Sequence, residues 1–103
     1  MSCTTDTGYP LGSSVICEFE FRDPTTNALV DPTNVFAAVK TPNGVTTIYQ
    51  YSVDAEVEKS AVGEYFVTVN AAAPGTWHYR GYSTGTYKGA NEDSFEVNAS
   101  EFA

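Results

Sequence analysis

A chain of 103 residues holds one domain, because two cores of half that size would each bury too little surface to offset the entropy of ordering the backbone. Thirteen acidic against five basic side chains give a net charge of −8 at pH 7, which repels nucleic-acid phosphates and anionic bilayers, so neither direct nucleic-acid binding nor membrane attachment is expected. There is no run of about eighteen apolar residues to span a bilayer, and Met1 to Gly8 carries neither the basic start nor the apolar stretch of a secretory signal, so the chain is expected to be made in the cytoplasm without an export address.

The polar leader and the following Tyr9-Pro10-Leu11 read as an extended N-terminal arm over residues 1–11, with the folded domain over 12–103. From Val15 every second residue is apolar: Val15, Cys17, Phe19 and Phe21 point inward while Glu18, Glu20 and Arg22 face water, the period-two signature of a half-buried strand. Cys3 and Cys17 are the only cysteines and read as two free thiols, Cys17 serving as a small buried apolar residue. Asp23-Pro24 ends the strand, and a turn-rich connection runs to Asp31-Pro32. A second strand spans Val35 to Lys40, and Thr41-Pro42-Asn43-Gly44 is a strong hairpin signal, since Asn-Gly accepts positive φ at low steric cost.

The partner strand of that hairpin runs from Val45 to about Ser52, with Val45, Thr47, Tyr49 and Tyr51 on one face and Thr46, Ile48 and Gln50 on the other; the tyrosine face is expected to be partly buried. Asp54 to Lys59 reads as a short edge or sheet-crossing strand whose charges discourage edge-to-edge association. Glu64 to Asn70 follows the Ser60–Gly63 turn, and Thr76 to Tyr82 follows Ala73-Pro74-Gly75, with Trp77 and Tyr79 inward and His78, Arg80 and Tyr82 outward. After Thr84-Gly85 the last strand, starting near Tyr87 or Ala90, ends at Asn98. About seven strands separated by turn signals, with no helix of useful length, indicate an all-β antiparallel domain closed over an aromatic core.

No catalytic residue, metal or cofactor is expected. His78 is the only histidine, it lies on the solvent face beside Arg80, and no nucleophile elbow accompanies it. Cys3, Cys17 and His78 lack the paired spacing of a zinc site. Glu56 and Glu58, and the Asn91-Glu92-Asp93 segment, lack the ordered ligand pattern of a calcium loop and read as solvated carboxylates. The outward aromatics carry more information. Phe36 and Tyr82, with Ile48 or the Tyr49 and Tyr51 pair, leave apolar surface exposed, either to dock a partner or as cross-strand pairs on a wet face, each worth about 0.2–1 kcal/mol.

Several short pieces, from Tyr9-Pro10-Leu11-Gly12 through Phe21-Arg22-Asp23, Asp31-Pro32-Thr33-Asn34-Val35, Val39-Lys40-Thr41-Pro42-Asn43-Gly44, Val62-Gly63-Glu64-Tyr65 and Pro74-Gly75-Thr76-Trp77-His78-Tyr79-Arg80 to Ser94-Phe95-Glu96-Val97, resemble small immunoglobulin-like proteins of tailed-bacteriophage virions. The resemblance implies an immunoglobulin-like antiparallel β-sandwich and a non-enzymatic virion component, with no catalytic residue to carry over. On that basis the chain is expected to decorate or cement the capsid shell, with the major capsid protein as principal partner and homo-oligomerisation as a further option. Attachment is expected through the arm, at Tyr9, Pro10 and Leu11, and through the exposed positions Phe36, Ile48 and Tyr82. A head–tail connector or tail-associated component would use the same fold. Gly63-Glu64-Tyr65 and Pro74-Gly75-Thr76-Trp77 also recur in bacterial immunoglobulin-like modules, which gives an adhesin-type or carbohydrate-binding module as a third reading.

Overall fold

The computed structural model describes residues 8–100. Within them the chain forms eight strands and no helix: β1 (Gly8–Pro10), β2 (Ser14–Glu20), β3 (Asn34–Lys40), β4 (Thr46–Gln50), β5 (Val57–Ala61), β6 (Glu64–Asn70), β7 (Gly75–Thr84) and β8 (Ala90–Asn98). They make a five-stranded sheet in the order β1-β8-β7-β3-β4 and a three-stranded sheet in the order β2-β6-β5. The two sheets face each other as a sandwich, because each strand carries its apolar residues on one parity and that face must be covered.

The core follows the alternation. Val15, Cys17 and Phe19 of β2 meet Val67 and Val69 of β6 from one side, and Val35, Ala37 and Val39 of β3 meet Trp77 and Tyr79 of β7 and Phe95 and Val97 of β8 from the other, all buried. Rings supply much of its contact. Trp77 stacks on Phe95 at 6.0 Å, Phe19 on Tyr65 at 6.2 Å, and Tyr9 meets Phe95 edge-on at 5.7 Å. Each such pair contributes about 0.5–1.5 kcal/mol beyond the area it buries. The Trp77 indole N–H donates to the Ala73 carbonyl at 2.9 Å, so its one polar atom is satisfied inside the core.

The turn chemistry also follows the sequence. Gly44 sits at φ 88°, its N–H donates to the Thr41 carbonyl at 2.9 Å, and the Thr41 N–H closes the hairpin on the Val45 carbonyl at 2.9 Å. The long connection after β2 is anchored by Asp31, whose carboxylate accepts from the Lys59 ammonium at 2.8 Å, the Gly63 backbone N–H at 2.8 Å and the Tyr65 hydroxyl at 3.1 Å. These bonds tie that connection to the β5–β6 hairpin and hold the Asp31 carboxyl below the usual carboxylate range, with the Lys59 hydrogen bond the largest cause.

Three expectations need correction. Residues 8–10 are not part of a free arm: they form β1, which runs parallel to β8 with Tyr9 opposite Val97, and this makes the sheet mixed rather than wholly antiparallel. The reason is packing, since Tyr9 covers the Phe95 ring and Leu11 also lies against the core. The rest of the predicted arm, residues 1–7, lies outside the described residues. Cys17 is disulfide-bonded, not a free thiol; the chain's other cysteine, Cys3, is also outside the described residues. Finally, Asp54 belongs to no strand. Its carboxylate accepts from the Gln50 N–H at 2.9 Å in the turn after β4, and β5 begins only at the buried Val57.

Candidate interaction surface

The outward faces of the two sheets differ in chemistry, and the register places each side chain on them. In the five-stranded sheet Phe36 stands opposite Gln50 on β4 and Tyr82 on β7, Ala38 lies between Ile48 and Arg80, and Lys40 between Thr46 and His78. Sequentially remote residues therefore form one patch. Phe36 stacks on Tyr82 with ring centres 5.2 Å apart and planes 18° apart, and the Arg80 guanidinium lies over the Tyr82 ring at 5.5 Å. A cation over an exposed ring contributes about 0.5–1 kcal/mol. Ile48, 58% exposed, extends the apolar surface onto the edge strand.

Over β3, β4 and β7 this outer face contains no carboxylate, although the chain carries thirteen acidic residues. Glu92 and Glu96 lie on the same face but on β8, opposite Arg80 and Thr76, and the Glu96 carboxylate accepts from the Thr76 hydroxyl. Among the described residues neither Lys40 nor Arg80 forms a salt bridge; the pairs present are Arg22 with Glu20 at 3.0 Å and Lys59 with Asp31 at 2.8 Å.

The outer face of the three-stranded sheet has the opposite character. Glu18, Phe66 and Glu58 form one row across β2, β6 and β5, and Glu20 and Glu64 are opposite neighbours in the next. Ile16, 42% exposed, is the one large apolar side chain on the outward positions of β2, beside Ser14, Glu18 and Glu20. Like charges facing each other across a ladder disfavour the sheet, so this acidity does not arise from a need to stabilise the strands.

Of the residues expected to bind a partner, the structure brings Phe36, Ile48 and Tyr82 together on a single patch. Pro10 is exposed at the far edge of the same sheet, with β8 between its strand and β7. Tyr9 and Leu11 instead contribute to the core. Lys40, His78 and Arg80 were not singled out for partner binding from the sequence. The signal for Arg80 was its spacing of two residues from Tyr82, but the pairing of β3 with β7, which brings Lys40 beside His78, is a long-range fact.

Two core tyrosines have perturbed hydroxyls. Burial, aided by the nearby Asp31 charge, pushes the Tyr65 hydroxyl up to about 12. Burial and then the charges of Asp93 and Glu18 push Tyr79 upward as well. Both keep a proton at neutral pH and serve the sandwich, Tyr65 as donor to Asp31 and Tyr79 with its hydroxyl 3.4 Å from the Glu18 carbonyl. Among the described residues no group of three or more His, Cys, Asp or Glu side chains is placed to hold a metal ion, and no helix is long and apolar enough to cross a membrane. Comparison of the chain with family models, with curated proteins and with solved structures gave no match.

Proposed function

We propose that the chain is an immunoglobulin-like accessory structural protein of a tailed-phage virion, without enzymatic activity, made in the host cytoplasm and decorating the capsid shell through contact with the major capsid protein. The immunoglobulin-like reading is supported by strand order. In variable-type immunoglobulin domains the third, sixth and seventh strands share a sheet extended by an added strand next to the third, while the second, fourth and fifth share the other. Here β3, β7 and β8 with the added β4 face β2, β6 and β5, and β1 is joined at the edge beside β8. The sequence resemblance from Tyr9 to Val97 points the same way.

The observation that carries the functional reading is the aromatic patch of Phe36, Tyr82, Ile48 and Arg80 on three strands whose outer face holds no carboxylate, in an otherwise acidic molecule. A half-buried Phe–Tyr stack beneath a guanidinium without a salt bridge matches what interface centres are built from, where aromatic and arginine side chains are enriched. A flat sheet of this size makes a weak contact per copy, and repetition over a lattice raises the effective affinity by about 10²–10⁴.

Imaging and mass analysis of purified particles test the reading. The chain is expected on the outer shell in lattice copy number, and Phe36→Asp with Tyr82→Asp is expected to release it while leaving the domain folded. Location at the neck or tail instead, absence from particles, or turnover of a substrate by the isolated domain would each refute it.

A further inference from the structure

Strand edges present unpaired N–H and C=O groups, and proteins blunt them with charge, proline, bulges or brevity. Among the described residues every edge but one is blunted in this way. β1 has three residues and Pro10, and the stretch of β8 that it leaves uncovered, residues 90–95, carries Glu92 and Asp93. β2 carries Glu18 and Glu20, and β5 carries Glu58, Lys59 and a register shift between Lys59 and Ala61. β4 has none of these devices. Residues 45–51 read Val-Thr-Thr-Ile-Tyr-Gln-Tyr, a run of strand-favouring side chains without charge, proline or glycine, in which Val45 and Ile48 are exposed. We propose that β4 pairs with β4 of a second copy, antiparallel across a two-fold axis, and joins two five-stranded sheets into one. The inference does not depend on the virion reading.

The open backbone groups fix the register. The Thr41 N–H donates to the Val45 carbonyl and the Tyr51 N–H to the Val35 carbonyl, each at 2.9 Å. By antiparallel alternation Val45, Thr47, Tyr49 and Tyr51 therefore bond toward β3, and Thr46, Ile48 and Gln50 aim their backbone groups out of the sheet. Gln50 is already used: its N–H donates to the Asp54 carboxylate at 2.9 Å and its carbonyl accepts from the Asp54 N–H at 2.8 Å. At the other end the Gly44 N–H is held by the Thr41 carbonyl. Thr46 and Ile48 remain, each with one donor and one acceptor facing outward. A copy rotated about an axis at Thr47 sets Thr46 against Ile48 of the second copy, and hydrogen bonds then satisfy every one of these groups in both chains. Centred on Thr46 or Ile48 instead, the ladder would run into Gly44 or Gln50, whose N–H groups are taken. The same register places Val45 against Tyr49 of the second copy, an aromatic and β-branched pair of the kind that stabilises ladders.

Charge neither drives nor blocks the contact. Each copy brings Lys40 to the outer side, opposite Thr46, and Glu56 to the core side, where it shares a cleft with Thr47 and Tyr49. Asp54 is held on Gln50, and His78 and Arg80 stand on β7 with β3 between them and β4. Glu92 and Glu96 on β8 are three strand spacings from β4, about 14 Å, beyond the reach of about 8 Å that physiological salt leaves to exposed charges. So short a ladder belongs with the small, transient interfaces below about 1,200 Å². Because both partners use the same edge, the contact is isologous and assembly stops at two.

Sedimentation velocity over a concentration series on the intact chain is expected to show monomer giving way to dimer and nothing larger, with little response to salt. Hydrogen exchange at the Thr46 and Ile48 amides should slow as the dimer forms. Thr46→Pro removes one outward donor and no bond to β3, and proline is tolerated at the start of an edge strand. It should stay folded by circular dichroism and Trp77 fluorescence while two hydrogen bonds lost per dimer raise the dissociation constant about 10- to 100-fold. Thr46→Glu keeps the backbone intact, sets like charges diagonally across the axis and must weaken the dimer as well. Thr47→Cys reads the register, since its thiol faces its own copy and should oxidise to a covalent dimer, whereas Thr46→Cys should not. A wild type that stays monomeric throughout, species larger than a dimer, undiminished dimerisation of Thr46→Glu, or a Thr47→Cys chain that forms no covalent dimer each overturns the proposal. A monomeric chain that Thr46→Pro releases from particles would give the edge to a strand of another protein, which overturns the second copy as its occupant. Dimerisation through β4 by a chain that is absent from particles upholds the pairing and refutes only the virion reading.

Discussion

Gly81 tests how tightly the two sheets are interlocked. It lies on β7 at an inward position between Ala37 and Asn91, and a methyl built there would stand 2.3 Å from the Cγ and Cδ2 atoms of Phe19, which reaches across from β2. Carbon atoms in contact prefer about 3.5–4.0 Å, so the ring would have to retreat by more than about 1 Å. It has nowhere easy to go, being buried, edge-on to Phe21 at 5.8 Å and stacked on Tyr65 at 6.2 Å. Overpacking of this kind costs about 1–3 kcal/mol, and the reduced freedom of the unfolded Ala chain offsets about 0.4–1 kcal/mol of it. Gly81→Ala should therefore destabilise by about 1–2 kcal/mol net, a fall in Tm of roughly 5–15 °C for a domain of this size. Denaturant unfolding followed by Trp77 fluorescence measures it. Phe19→Leu should make room, so the double variant should lose less than the sum of the two single losses, with a coupling of about 0.5–3 kcal/mol. A Gly81→Ala protein as stable as the wild type, or a double variant whose losses simply add, would refute the interlock.

Other consequences can be checked on the same protein. Phe95→Ala removes a ring that is fully buried against Trp77 and Tyr9 and should cost about 3–5 kcal/mol, read as a shift in denaturation midpoint. Ser83→Ala should cost about 1–2 kcal/mol, because the buried Ser83 hydroxyl donates to the Tyr87 carbonyl at 2.9 Å and accepts from the Gly89 N–H at 3.0 Å, and both partners would lose it. The lowered Asp31 carboxyl contributes stability that is present above the usual carboxylate value of 3.8 and is lost as pH falls through the folded value. Because the Asp31–Lys59 pair is partly exposed, that loss should be about 1 kcal/mol after solvent screening, and Asp31→Asn should flatten the acid limb of a stability–pH curve. Tyr65 acts in the opposite direction. With its hydroxyl raised from 10.0 to about 12, the unfolded chain ionises first as pH rises, so stability should fall by up to about 3 kcal/mol across that window on its account, followed by phenolate absorbance, and Tyr65→Phe should remove that share and leave the part due to the raised Tyr79.

Parity was legible wherever a strand is covered on one face along most of its length. Val15, Cys17 and Phe19 on β2, and Trp77 and Tyr79 on β7, are buried as their alternation requires, and the hairpin at Asn43-Gly44 forms where the dipeptide places it. The tyrosine side of the hairpin's second arm is partly buried as expected, with Tyr49 on β4 and Tyr51 just after it against the core and Ile48 outside. The sequence was silent where structure depends on remote partners. Three residues around Tyr9 carry no period, and only the Phe95 ring gives that tyrosine a reason to turn inward. Two cysteines, one of them in a polar leader, offered no spacing from which to read the bond at Cys17. Val57 looked like an isolated apolar residue in a polar run, and it starts β5 because the three-stranded sheet needs a buried residue opposite Val67.

The same distinction explains why half of the interaction surface was visible beforehand. Phe36, Ile48 and Tyr82 could be marked as outward one strand at a time, since each sits on the solvent parity of its own segment. That they are neighbours, that Arg80 joins them and that no carboxylate stands on these three strands' outer face depend on β4, β3 and β7 lying side by side in that order. Charge placement is a property of the fold rather than of any segment: the outward positions of β2, β5 and β6 hold Glu18, Glu20, Glu58 and Glu64, while the five-stranded sheet sets Lys40 and Arg80 on β3 and β7 beside Glu92 and Glu96 on β8. One face that gathers acids and another that carries both signs around an aromatic pair present different potentials, which lowers the barrier to some orientations of approach and raises it for others, as expected of a molecule that meets partners in a defined pose.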